Sequence, residues 1–311
     1  MAKKVFSKSL EGAWWKVFSC ACFAVINGIV RYLSGGATTD TPVLSLEVMI
    51  FFQNLFGTLF LLPYALKTPL QSLKIRYLSL HLIRVATAVG GIYLWYLTLT
   101  KMPIAEGVAL SFTGPIFTVI GAWVLLKEQI NLQRLLAILL SLIGAFIISR
   151  PDIPFRGEVH PIGFAAIFPL SSALILAISK LLTRKLANLG ESPTLLALYL
   201  LIFMAPVSLI PALLHWQMPS LSQLPWLILM GALASAAHLS FSKAYQLAEV
   251  TFLTPFGFSK FLLSALVGFV SFSELPTTLS LWLGIAIIFM SILLLAYKIP
   301  LYSWANRLRS N

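Results

Sequence analysis

Of 311 residues, 59% are hydrophobic and 10% charged, with a mean hydropathy of +0.92; this is the usage of a membrane protein, with no polar block large enough for a separate soluble domain. Most designs of soluble enzymes are thereby excluded. The formal net charge of +12 does not point to nucleic acid, because the basic residues fall in short segments between apolar runs instead of forming a stripe on a folded surface.

Apolar runs of roughly the 17 to 25 residues needed to cross a bilayer occur at 14–33, 44–66, 79–100, 104–126 and 132–148, and again at 162–181, 195–214, 224–247, 250–272 and 279–297. The expectation is ten transmembrane helices. Short connections carry turn or helix-start residues: Gly35-Gly36, Pro103, Pro151, Pro161, Pro193, Pro225 and Pro276. The first run follows Lys3, Lys4 and Lys8 and has Lys16 at its start, as a signal peptide would, but Arg31 closes it without a small-residue cleavage site, so it reads as a retained span. Cys20 and Cys22, two positions apart on a helix, point to different sides and imply neither a disulfide nor a metal site.

Lysine and arginine loops stay in the cytoplasm. With the N-terminus inside, 17 of the 22 basic residues fall on the cytoplasmic side, which puts both termini there and fits an even number of spans in a bacterial inner membrane. Trp14 and Trp15 beside Lys16 match an interfacial belt, and residues 300–311 read as a cytoplasmic tail.

The chain also repeats itself. Ala105-Glu106 opens the fourth span and Glu128 follows it, while Ala248-Glu249 opens the ninth and Glu274 follows it. Five spans per half is odd, so the halves, 1–153 and 154–299, are expected to face opposite ways. An all-α fold of two inverted five-helix repeats enclosing a cavity near the midplane is the usual architecture of alternating-access carriers.

These residues resemble a known family. Ala105 to Pro115 (AEGVALSFTGP), continuing through Lys127-Glu128 to Gly144 and Arg150-Pro151, is similar to the first repeat of EamA-type proteins in the drug/metabolite transporter superfamily. Thr254-Pro255-Phe256 and Val267-Gly268 to Glu274 resemble the second repeat less fully. The resemblance implies a cavity lined chiefly by helices 1, 3, 4, 6, 8 and 9, and leaves the substrate open among amino acids, nucleotide-like cofactors, vitamins and metallophores. Lys260 departs from the family, replacing what is commonly an uncharged residue.

Lys260 is the foremost candidate for binding substrate. It lies near the middle of the ninth run, where an unpaired charge costs a few kcal/mol or more and calls for a partner or water. Its helical face continues through Gly257, Ser264 and Gly268, and a cationic wall would suit a carboxylate or phosphate; the alternative is a structural lysine, deprotonated or bonded to backbone carbonyls. Helix 4 carries a similar stripe of Ser111, Gly114, Pro115 and Thr118, with Pro115 expected to bend it and free a carbonyl toward a cavity or a close helix contact. On helix 8, Ser235, His238 and Ser242 share a face, and His238 is placed to bind substrate, accept a coupling proton or pack. Asn27 and Ser172 are further lining candidates, and Tyr93 and Trp95 could stack on a planar ring or face lipid. Glu106 and Glu249 start helices 4 and 9, where they complement the helix dipole or gate opposite faces; Glu128 and Glu274 are expected to cap or pair.

No Walker A loop, H-E-x-x-H, G-x-S-x-G or deep aspartate occurs, so no catalytic residue, metal or cofactor is assigned. The expected partners are membrane lipids and a small polar metabolite, amino-acid-derived or nucleotide-like, with an S-adenosylmethionine-type molecule as a named candidate. Proton coupling, facilitated diffusion and exchange stay open, as do direction and oligomeric state. The alternative is an intramembrane enzyme acting on a lipid or peptide.

Overall fold

A computed structural model describes residues 2–33, 43–67, 76–101, 111, 113–149, 167–272 and 279–296. The structured elements there are all helices: α1 (Ala2–Leu33), α2 (Leu46–Leu66), α3 (Leu78–Lys101), α4 (Thr113–Leu126), α5 (Leu132–Ser149), α6 (Ile167–Asn188), α7 (Pro193–Leu214), α8 (Leu224–Leu247), α9 (Val250–Gly257), α10 (Ser259–Phe272) and α11 (Leu279–Ala296). Among the described residues seven stretches are long and apolar enough to cross a membrane, the last running through α9 into α10, while Thr113–Leu126 and Leu132–Gly144 are shorter apolar helices. With Trp123, Leu125, Ile210 and Phe289 exposed on such helices, the outer surface suits lipid, and the chain is a multi-pass membrane protein.

Two spans differ from the sequence expectation. Helix α1 begins at Ala2 instead of near 14, adding about three more turns, rich in lysine and serine, before the apolar run. The ninth run is interrupted at Phe258, whose amide donates to Pro255 O at 3.1 Å, three residues back instead of four. Pro255 lacks a donor of its own, and together these changes end α9 in mid-run.

The bundle pairs α1 with α8 and α10, α3 with α6, α2 with α7 and α8, α4 with α6, and α5 with α11. Apolar side chains gain little by leaving lipid, so close approach depends on small residues and interhelical hydrogen bonds. A Cβ at Gly57 would stand 3.4 Å from Gly231 O, and Ser235 Oγ donates to Gly57 O at 2.8 Å, so α2 and α8 touch backbone to backbone. Ser172 Oγ donates to Gly91 O at 2.7 Å between α6 and α3. Ser141 and Ser291 share a 2.6 Å bond between α5 and α11.

One end of the bundle is fastened by charge. Lys127 closes α4 at φ 55°, a left-handed position usually given to glycine, and Glu128 N donates back to Ala122 O at 3.1 Å. That turn aims Glu128 at the start of α9, where its carboxylate accepts from Val250 N and Thr251 N, both at 3.0 Å, and from the Thr251 hydroxyl at 3.1 Å. Arg184 Nε lies 3.6 Å from Glu128, and Arg184 also donates to Tyr245 O. Glu249, at the cap position of α9 without a side-chain cap bond, is ion-paired with Arg134. The capping role expected of Glu128 is thus seen directly; Glu106, Glu274 and the tail 300–311 lie outside the described residues.

Candidate functional site

Helical spacing brings one polar face of α1 inward: Lys16, Cys20, Phe23 and Asn27 follow one another at intervals of four, three and four residues. On α8, His238, Phe241, Ser242 and Tyr245 do the same. The interruption at Phe258 delivers Lys260 at the start of α10, and α6 contributes Ser179, Lys180 and Thr183. These faces enclose a cavity of about 480 Å³ and an adjoining one of about 310 Å³ that share Phe23, Lys180, Phe241 and Lys260. They form two lobes of one polar interior.

The larger lobe takes Asn27, Trp95 and His238 as walls, together with Gln53, Asn54 and Arg84. His238 sits edge-on to Phe23 with ring centroids 5.3 Å apart. Arg84, almost fully buried, donates to Leu196 O at 2.6 Å. Asn54 donates to Ser208 Oγ at 3.2 Å. The smaller lobe takes Ser111, Pro115, Thr118 and Gly257, with Lys16 and Tyr245. Lys260 belongs to both and lies 5.7 Å from the Phe23 ring centroid.

Four sequence candidates stand apart from these walls. Ser172 is buried between helices with its hydroxyl on Gly91 O, and Tyr93 is 62% exposed on the outside of α3. Ser264 is turned into packing, its hydroxyl without a hydrogen-bond partner, and Glu249 serves the ion pair with Arg134.

Sequence reasoning missed Lys16, Lys180 and Arg84, having assigned all of them to the cytoplasmic side. A usable signal existed for the first: Lys16 shares the helical face of Cys20, Phe23 and Asn27. It missed helix α2 as well, which contributes Met49, Gln53 and Asn54. Among the described residues no group of three or more His, Cys, Asp or Glu is placed to hold a metal.

Among the described residues no aspartate or glutamate lines either lobe, whereas three lysines do. Such a space holds donors in excess of acceptors. A membrane bundle built round a polar interior of this kind defines a carrier of small molecules.

The chain belongs to the EamA-like transporter family, whose pattern matches residues 12–150. It is 35% identical to a riboflavin transporter of Vibrio cholerae serotype O1 over 91% of this chain and 92% of that protein. A riboflavin transporter of Rhizobium johnstonii is 30% identical over 91% of this chain and 89% of its own. An S-adenosylmethionine uptake transporter of Rickettsia prowazekii is 28% identical over 86% of each chain. A crystal structure covering 93% of this chain and 96% of its own aligns with a TM-score of 0.73 at 14% identity, a likeness of fold. The protein is a small-metabolite transporter, not an enzyme.

Proposed function

We propose that this protein carries a flat, acceptor-rich heteroaromatic metabolite of the riboflavin type by alternating access. The observation that carries the substrate reading is the lining of the interior: Phe23, Trp95 and Phe241 with Asn27, Gln53 and Lys260, and no carboxylate among the described residues. An isoalloxazine ring presents two carbonyls and two ring nitrogens as acceptors and one N–H as donor, and its apolar faces suit aromatic walls. Ribityl hydroxyls can both donate and accept. A net-positive sulfonium compound such as S-adenosylmethionine could set its carboxylate against one lysine, but its sulfonium and ammonium groups would still face the other two, a repulsion that low dielectric strengthens. The relatives named for riboflavin agree with this preference.

Taking α9 and α10 as one span gives ten, and the packing supports two inverted repeats. Exchanging each span of the first five with its counterpart in the last five turns the α1–α8 contact into α6–α3 and the α4–α6 contact into that between the ninth and first spans. The α2–α7 and α5–α11 contacts map onto themselves. In this reading residues 1–153 and 154–299 are the two units, both termini lie in the cytoplasm of the bacterial inner membrane, and the repeats rock about the lobes. His238, on the wall of the larger lobe, is the group in place to accept a coupling proton.

The test is uptake of riboflavin into proteoliposomes, with and without preloaded riboflavin. Saturable flux accelerated by internal riboflavin is expected. Saturable S-adenosylmethionine flux without riboflavin flux would reverse the substrate assignment.

A further inference from the structure

The larger lobe, with its amides and aromatic rings, accounts for a neutral ring system; the smaller lobe holds more positive charge than such a molecule needs. Lys16, Lys180 and Lys260 come from α1, α6 and α10, and all line it. The ion pairs among the described residues engage Glu11, Glu128 and Glu249, none with these lysines. We infer that this lobe is an anion subsite, which takes one oxyanion group, phosphate or carboxylate, either borne by the transported molecule or bound beside it as a free ion. The inference deepens the carrier reading and rests on it for the use of the cavity.

Neutral hydroxyls around the lobe are already committed. Ser19 donates to Ala237 O at 2.9 Å, Thr118 to Gly114 O at 2.8 Å and Thr254 to Val250 O at 2.8 Å. Cys20 Sγ lies 3.7 Å from Gly257 O. The donors left over include the three ammonium groups, the geometry-tolerant choice for an oxyanion.

Lys16 is held for this purpose. It is 8% exposed, with Nζ 4.2 Å from the Phe241 ring centroid and 5.2 Å from that of Tyr245. Its stem lies where a side chain at position 257 would begin, since a Cβ on Gly257 would stand 3.4 Å from Lys16 Cε. Aromatic faces offset part of one charge; they do not neutralise three cations converging at membrane depth, where an uncompensated charge is costly. A single oxyanion between the ammonium groups would offset the larger part of that charge if it is a phosphate and about one cation if it is a carboxylate.

The experiment uses the full chain in nanodiscs of phosphatidylcholine, which present no net anionic headgroup. Inorganic phosphate is compared with sodium chloride at equal ionic strength by melting temperature, and riboflavin is compared with riboflavin 5′-phosphate by quenching of flavin fluorescence. A rise of several degrees with phosphate, or roughly tenfold tighter binding of the phosphate ester, supports the subsite; the first alone marks a free ion and the second alone a group carried by the substrate.

Lys16→Gln, Lys180→Gln and Lys260→Gln should each reduce that response at least threefold, and Lys260→Arg should retain it, which separates loss of charge from loss of fold. A phosphate response without binding of either flavin would retain the subsite and remove the flavin reading. Riboflavin binding with neither a phosphate response nor a preference for the ester would overturn the subsite, as would Lys→Gln variants that respond as the wild type does.

Discussion

The two charged regions of this bundle are built on opposite plans. Where α9 begins, Glu128 pairs with Arg184 and Glu249 with Arg134, and Glu128 also accepts from the first amides of the helix. Around the smaller lobe, Lys16, Lys180 and Lys260 share one sign and face empty volume. Ionised groups in a membrane bundle are tolerated when a partner is at hand. The first region carries its partners in the sequence and fastens helices together; the second awaits its partner from outside, as a binding site must.

Removing a charge should therefore act in opposite directions in the two regions. Glu128→Ala strips two backbone amides of their acceptor and leaves Arg184 without its buried carboxylate, a loss of about 3 to 5 kcal/mol, read as a large fall in melting temperature. Glu128→Gln, which keeps an acceptor, should lose less. Equal melting of Glu128→Ala and the wild type would remove the fastening role.

Lys260→Ala removes a cation that repels its neighbours, so its melting temperature should hold or rise while riboflavin uptake falls about tenfold, a barrier change of about 1.4 kcal/mol. A destabilised Lys260→Ala protein with normal uptake would erase the distinction between the regions. At the turn that aims Glu128, Lys127→Gly should gain about 1 kcal/mol, because a left-handed φ costs a side-chain-bearing residue that much. Thermal melting reads the sign, and a loss would mean that the Lys127 side chain matters more than its backbone.

The smallest effect is expected at the outer pair. Arg134 and Glu249 have side chains 21% and 42% exposed, so Arg134→Ala should cost less than about 1 kcal/mol, and the cost should shrink in high salt. A cost matching that of Glu128→Ala would show that the pair belongs to the buried network.

Much of the site was legible where a single residue broke a local rule. Lys260 stood out as a charge inside an apolar run, Pro115 as a helix breaker, and Asn27 and His238 as polar residues at mid-depth; the structure brings all of them to the cavity walls. Ser172 and Tyr93 followed the same logic and lie elsewhere, one bonded to Gly91 O and the other on the outer surface. In a membrane helix the lipid-facing and buried faces are both apolar, so periodicity no longer tells inside from outside. Lys16 and Lys180 were hidden for a related reason: near the ends of apolar runs, lysines usually belong to interfaces, and long side chains reach in either direction.

The amino-acid sequence alone determined that this is a chain of membrane-crossing helices, because uninterrupted apolar length and the distribution of lysine and arginine fix that choice without reference to any distant residue. It also marked Lys260 as a charge needing compensation. Which charges find partners was decided by tertiary structure. Glu128 meets the amide of Val250, 122 positions away, and three lysines from three helices meet one another across a void. Pairing energy depends on distance in space, and packing alone sets that distance.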